Sequence, residues 1–544
     1  MSVPPPPADR REFLLRSGLT GAALLFGSAC SNNSGGSGNS DAADAGTDRE
    51  SDTSNGNDTA IDAPDTADVQ DAVDTSSDAE VYEEAQAGWP SCEPGAATQT
   101  ITFVHVNDIH GNFAPARNGA NSAARLRGYF DRVKSENPFT LFTNGGDDFE
   151  KGCLAELTSS GAATIRYVEA MGYDVRCIGN HDFCWSPERL LEYSRAGSAA
   201  VLCSNVTYTG PDATLWGAKR SFILEVGCLR IGFFGLVSKP WNERNEQTSG
   251  DFFPEHFPSD WDFEAVTREM VTALRPQVDL VVAISHLGFG DDTRLAAAVP
   301  GIDIILGAHS HTVLMQMEQV GDTRIIQCGS SAAWLGRLDV TVDLATRRPV
   351  DFRYRMTPNI PTAAPENPRV AAELRSIFDT YSPDAHETAA TVRLPADAVR
   401  IADITAQAAI TALSCDAAVV DADTVWTTWG AGSVTKQEFL DTFKVERQPA
   451  GTPGFNSFYT VTLQGSLLEG VRRATGARWR YAGPDLIDPA ANYTLAVQKI
   501  LAFNGAHYLG AGLDLPDPAP VGEAWEILAS YAAIIGGGEL DATL

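Results

Sequence analysis

The sequence predicts an α/β fold carried on two globular domains, and three observations point to it. Apolar, β-rich runs alternate with segments of helical spacing between residues 98 and 342, the pattern of a sheet whose faces are covered by helices. Short clusters of Asp, His, Asn and Gly follow the carboxyl ends of those runs, where ligands gather in α/β sheets. The chain of 544 residues is also too long for one small domain, so two is the natural expectation.

The elements follow in order. Thr100 to Val106 alternates as a strand does, and Ala123 to Lys134 has helical spacing. Phe139 to Thr143 is a strand, Thr164 to Met171 a helix and Asp174 to Ile178 a strand. Pro187 to Tyr193 is a helix opened by proline, and Ala200 to Cys203 is a strand. A longer apolar run, Leu229 to Val237, precedes the helix Phe263 to Leu274. Leu280 to Ile284 and Ile302 to Leu306 are strands, and Arg324 to Gln327 and Gly336 to Val342 read as closing antiparallel strands. The break Pro358-Asn359-Ile360-Pro361 marks a boundary. Glu366 to Tyr381 is then a helix bridging to a second domain. The resulting division is 1–30 signal, 31–97 disordered acidic linker, 98–355 first domain, 356–385 linker helix and 386–544 second domain.

The formal net charge is −31, on 43% hydrophobic and 20% charged residues. Residues 31–86 alone hold fifteen acidic residues against one arginine and almost no aromatics. Such a stretch cannot offset its ordering entropy and reads as a self-repelling tether. A chain this acidic, with no basic run, is not expected to bind a nucleic-acid polymer. At the N-terminus, Arg10-Arg11-Glu12-Phe13-Leu14-Leu15 resembles a twin-arginine export signal. The apolar stretch Leu19 to Phe26 is far shorter than the roughly 20 residues of a membrane-spanning helix. Gly27-Ser28-Ala29-Cys30 resembles a lipobox, with Cys30 the lipidation site, although Gly27 replaces the usual Leu and leaves plain cleavage after Ala29 open. Export to the periplasm or cell surface, with a lipid anchor if Cys30 is modified, is the expectation. Cys177, Cys203, Cys228 and Cys328 lie in or beside apolar runs, where cysteine is usually a small core residue. No CxxC pair supports a zinc knuckle or a redox motif.

The chemistry lies in Asp108-Ile-His110-Gly111, Gly146-Asp147, Gly179-Asn180-His181-Asp182, Ser285-His286 and Gly307-Ala308-His309-Ser310-His311. Each stands past a predicted strand, and five of the nine histidines fall in these motifs. The neighbouring glycines permit tight turns that carry the side chains inward. Together the motifs offer enough oxygen and nitrogen donors for two divalent metals. Mixed donors of this kind suit Zn, Mn, Fe or Co. A hydrolytic metalloenzyme follows.

The order of these motifs resembles the calcineurin-like metallophosphoesterases, and within them the secreted 5′-nucleotidases and UDP-sugar hydrolases. The resemblance covers residues 98–350 well and 386–515 loosely. It implies a four-layer sandwich followed by a smaller α/β domain that binds substrate. It also implies that Asp108, His110, Asp147 and His311 hold one metal and that Asp147, Asn180, His286 and His309 hold the other. His181 would face the phosphate, oriented by Asp182. The implied reaction is hydrolysis of a nucleotide phosphate ester by metal-activated hydroxide. Alternatives are a non-nucleotide ester, a cyclic phosphodiester or a sulfur ester in the same superfamily, or a non-catalytic binding module. The second motif, Asp147-Asp148-Phe149-Glu150-Lys151-Gly152, is one residue longer than usual, which leaves open whether Asp147 or Asp148 bridges. In the second domain Trp426, Trp429, Phe503 and Tyr508 are candidates to stack a flat substrate, and Arg447 or Arg472 to grip an anion.

Overall fold

A computed structural model describes residues 81–83, 89–116, 119–150, 152–240, 250–443, 456–499, 501–502 and 520–541. Two sheets build the first domain. One runs in the order Val81–Glu83, Ser221–Val226, Leu229–Val237, Leu280–His286, Ile304–Gly307, Thr323–Gln327, Glu318–Val320. The other runs Arg348–Pro358, Trp334–Asp343, Thr98–Val106, Thr140–Asn144, Val175–Cys177, Ala200–Leu202. Side chains of a strand point alternately to its two faces, and Thr98–Val106 shows the result. Ile101 and Phe103 meet Phe222, Ile231 and Phe233 of the other sheet, while Val104 and Val106 face helices. The helices Ser122–Glu136, Ala162–Met171, Pro187–Ser194 and Pro368–Tyr381 cover that outer face. Phe263–Leu274 and Phe289–Ala298 cover the other sheet. The layers are therefore helix, sheet, sheet, helix.

Local chemistry sets the helix ends. Asn121 accepts from Ala124 N–H at the start of Ser122–Glu136, and the residue before Pro138, Asn137, is extended there, as a following proline requires. Ser186 and Asn367 cap helices whose first turn carries proline, where the missing N–H costs nothing. Thr435 and Glu438 form a reciprocal capping box at the start of Lys436–Thr442.

Three expectations need correction. Thr323–Gln327 runs parallel to Ile304–Gly307, and only its hairpin with Glu318–Val320 is antiparallel. The turn at Gly321 reverses the chain once more than the apolar pattern shows. Order also begins inside the expected linker, because Val81–Glu83 pairs in parallel with Ser221–Ile223, Trp89 packs against the inter-sheet core, and Cys92 is disulfide-bonded to Cys228. Cys228 is thus not a free core thiol, unlike buried Cys177, Cys203 and Cys328. Finally, the helix expected as a linker, Pro368–Tyr381, packs into the first domain: Val370, Leu374, Ile377 and Phe378 belong to that domain's core.

The second domain has a five-stranded sheet ordered Trp479–Ala482, Ala417–Asp421, Asn492–Gln498, Ser457–Gln464, Gly522–Glu523. Ala398–Leu413 and Ala524–Ile534 cover one face and Gly465–Ala474 the other. The short helix Lys436–Thr442 reaches back to the first domain. Gln437 Oε1 accepts Leu154 N–H at 3.0 Å, and Leu440 joins the first domain's core.

The Cys92–Cys228 bond closes a span of 136 residues, and a cross-link of that kind typically stabilises by about 2–4 kcal/mol. The Cys92→Ser, Cys228→Ser double variant should lose stability on that order in non-reducing urea unfolding. An unchanged midpoint and slope would contradict the bond's role.

Candidate metal centre

The donors stand on turns at one edge of both sheets. Past Thr98–Val106 and its parallel neighbour Thr140–Asn144, the two loops pair. Asp108 N–H donates to Gly146 O (3.0 Å), His110 N–H to Asp147 O (2.8 Å) and Gly111 N–H to Asp148 O (2.7 Å). This pairing demands unusual backbone. Asp108 (φ 53°), His110 (φ 52°), Asp147 (φ 57°), His309 (φ 72°) and His311 (φ 54°) are all left-handed, a conformation that costs a non-glycine residue about 1–2 kcal/mol. Gly146 has φ 90°, and a Cβ there would lie 2.5 Å from Gly179 N. The loops can approach only because that side chain is missing.

Two donor clusters result. Asp108, His110 and His311 offer ligand atoms within 4.8 Å of one another, and so do Asp147, His286 and His309. The clusters adjoin: His110 Nε2 lies 3.7 Å from Asp108 Oδ1 and 4.0 Å from Asp147 Oδ2, and His286 Nε2 lies 3.9 Å from Asp108 Oδ1. Ser238 Oγ donates to Asn180 Oδ1 at 3.1 Å and lies 3.5 Å from His309 Nδ1, so Asn180 borders the second cluster. The donors fit divalent ions. His286 Nε2 is buried and faces Asp147 Oδ2 at 2.9 Å outside hydrogen-bond geometry. The Nε2 atoms of His110 and His311 face each other at 2.8 Å, a pairing that needs a proton or a metal between them. Asp108 and Asp147 are buried carboxylates, expensive without a cation.

Residues 101–313 match the family model of the calcineurin-like phosphoesterases. They form a calcineurin-like phosphoesterase domain. The trifunctional nucleotide phosphoesterase protein YfkN of Bacillus subtilis is 26% identical over 279 residues, covering 45% of this chain and 18% of that protein. The 5′-nucleotidase of Bos taurus is 26% identical over 247 residues, covering 42% of this chain and 40% of that protein. The chain thus spans less than half the length of these curated relatives. The crystal structure of a 5′-nucleotidase precursor from Thermus thermophilus superposes with a TM-score of 0.60 at 18% identity, covering 81% of this chain and 99% of that one. The two-domain fold is that of this neighbour.

Within the phosphoesterase domain, the surroundings of the donors decide several points. Asp147, not Asp148, enters a donor cluster. Asp148 turns away and accepts from Tyr193 Oη (2.7 Å) and Asn144 Nδ2 (2.8 Å). Asp182 does not orient the ring of His181. Its carboxylate accepts the N–H groups of Gly179 (2.7 Å), Asp148 (2.9 Å), Asp147 (3.1 Å) and Phe149 (3.3 Å), so it braces the loop that carries Asp147. His181 N–H donates to Asp147 Oδ1 at 2.8 Å, and its Nδ1 lies 3.2 Å from Glu150 Oε1. Glu150 was not expected here. The one signal for it in the sequence is the extra residue between Asp147 and Gly152. His286 Nδ1 is bonded to Gly145 O at 2.7 Å, which leaves Nε2 as its donor atom.

Trp429 is no substrate platform. It is 5% exposed, its Nε1–H donates to Thr442 Oγ1 at 2.9 Å, and its ring packs on Phe439. Trp426, 55% exposed, presents a face. Arg472 is engaged by Glu469. Phe503, Tyr508, Arg447 and Cys30 lie outside the described residues.

Burial pushes the Asp108 and Asp147 carboxyls up, but the surrounding imidazoles outweigh it and hold both well below the usual range. Burial pulls His110 and His286 down, yet Glu150 raises His110 to about 9 and Asp147 raises His286 to about 10. Burial and then His286 take His309 down to about 3. Near neutrality the metal-free protein therefore keeps protons on His110 and His286, and a metal needs neutral imidazole. Metal binding at pH 7 should release protons, and affinity should rise as pH climbs toward 9–10. Calorimetry of the metal-free protein in buffers of different ionisation enthalpy measures this; a heat independent of buffer contradicts it.

Proposed function

We propose that the chain is an exported, dinuclear-metal phosphoesterase that hydrolyses nucleotide phosphate esters. The observation that carries this reading is the pair of adjoining donor clusters with His181 at their rim, 15% exposed by its side chain. Asp108, His110, Asp147 and His311 would hold one ion; Asp147, Asn180, His286 and His309 would hold the other. Bound there, two divalent ions supply Lewis acidity toward phosphoryl oxygens and make water a nucleophile at neutral pH.

The chain's own groups do the rest. The main-chain bond from His181 to Asp147 fixes the histidine relative to the donors. With Nδ1 toward Glu150, Nε2 would be the atom that donates to a phosphoryl oxygen or holds the proton for a leaving alkoxide. The net charge of −31 opposes an anionic ester at long range, so substrate capture depends on the metal centre. The nucleotide assignment draws on relatives named as a nucleotide phosphoesterase and a 5′-nucleotidase. Export is supported by the Cys92–Cys228 disulfide, since such bonds persist in oxidising compartments, and by the twin-arginine-like stretch and Cys30.

Full-length protein loaded with Mn or Zn should release phosphate from AMP, ADP or a UDP-sugar. His181→Ala should lower kcat by about 10²–10⁴-fold without changing metal content. Hydrolysis of bis-p-nitrophenyl phosphate alone moves the natural substrate to another ester. Inactivity of the fully loaded protein on every ester rejects the proposal.

A further inference from the structure

One residue of the lengthened second motif sits at a position of consequence. Glu150 is 5% exposed and adopts φ 136°, a region that costs a side-chain-bearing residue about 1–3 kcal/mol and persists only where its surroundings enforce it. They do. Glu150 N–H donates to Glu156 Oε1 at 3.1 Å, and that oxygen also accepts from Trp185 Nε1 at 3.2 Å. Held from behind, the Glu150 carboxylate faces two histidines. Oε2 lies 2.7 Å from His110 Nδ1 and Oε1 lies 3.2 Å from His181 Nδ1, ion-pair contacts that, like that of His286 with Asp147, fall outside hydrogen-bond geometry in the metal-free protein. The two rings meet edge to face with centroids 5.2 Å apart.

The geometry points to Glu150 as a positioning residue shared by the metal centre and by His181, holding the Nδ1 side of both rings against a single carboxylate. This inference rests on the dimetal reading of the site. Glu150 touches His110 on the side of the ring opposite Nε2, the atom that faces Asp108 and His311, so it stands behind a donor and outside the donor cluster. A carboxylate behind a ligating histidine fixes the tautomer and orients the ring. The same carboxylate faces Nδ1 of His181 and so sets which ring nitrogen an ester would meet. One residue thereby ties the aim of the metal ligand to the aim of the proton donor.

The test uses full-length Glu150→Gln, which keeps the side chain's size and removes its charge. Affinity for Mn²⁺ and for Zn²⁺ is measured by chelator competition, and kcat is measured on AMP and on p-nitrophenyl phosphate. Affinity for one of the two ions should fall on the order of 10- to 100-fold. The kcat on AMP should fall further than that on the aryl ester, whose leaving group needs no proton. Loss in only one of the two readouts, or both within twofold of wild type, overturns the shared role. If the variant does not fold, nitrogen-15 histidine spectra of metal-loaded wild type decide. Hydrogen-bonded protons on Nδ1 of both His110 and His181 support the inference, and a bare Nδ1 on either ring overturns it. Wild type that hydrolyses neither ester rejects the phosphoesterase reading, while the affinity ratio and the spectra still decide Glu150.

Discussion

Asp108 and Asp147 are carboxylates taken out of water at the meeting edge of two sheets, and the rest of the site answers to that fact. An isolated buried charge costs several kcal/mol even after relaxation. The imidazoles around them share the burden only by holding protons, and two of those imidazoles are themselves pressed Nε2 to Nε2. The backbone adds to the cost, since five of the donors occupy the left-handed region. Strain gathered on one set of polar side chains marks a functional site rather than a packing accident. Divalent ions held there would relieve the electrostatic cost.

The scaffold makes the convergence possible. Asp108 and Asp147 follow adjacent parallel strands of one sheet, while His286, His309 and His311 close or follow strands of the other. Because the sheets pack face to face through Phe103, Phe233 and their neighbours, their strand ends face one another across the same edge. Asp182 then stitches the Asp147 loop to the Gly179 turn through four main-chain N–H groups. Gln437 of the second domain accepts from the N–H of Leu154, so the second domain meets the first residue of the helix that follows the Glu150 loop.

Much of this was legible in the sequence. The residues of the two clusters could be singled out because each closes or follows a strand, and strands are visible as apolar runs; the helix Phe263–Leu274 was visible in its own spacing. What failed was tertiary. Asp182 adjoins His181 in sequence, yet in the turn over residues 181–183 their side chains serve different partners. Trp429 carries the same aromatic face as Trp426, and only packing says which is buried. The partner of Cys228 lies 136 residues away, beyond any local signal. Glu150 stood only within a motif one residue longer than usual, and its contacts with His110 and His181 exist only once the loop has closed.

The central claim is a two-metal centre that shares Asp147. Metal analysis of the protein purified without chelators tests it most directly. The account predicts two divalent ions per chain in wild type, loss of one in His286→Ala and loss of both in Asp147→Ala. A single ion in wild type, or two retained in Asp147→Ala, would contradict it.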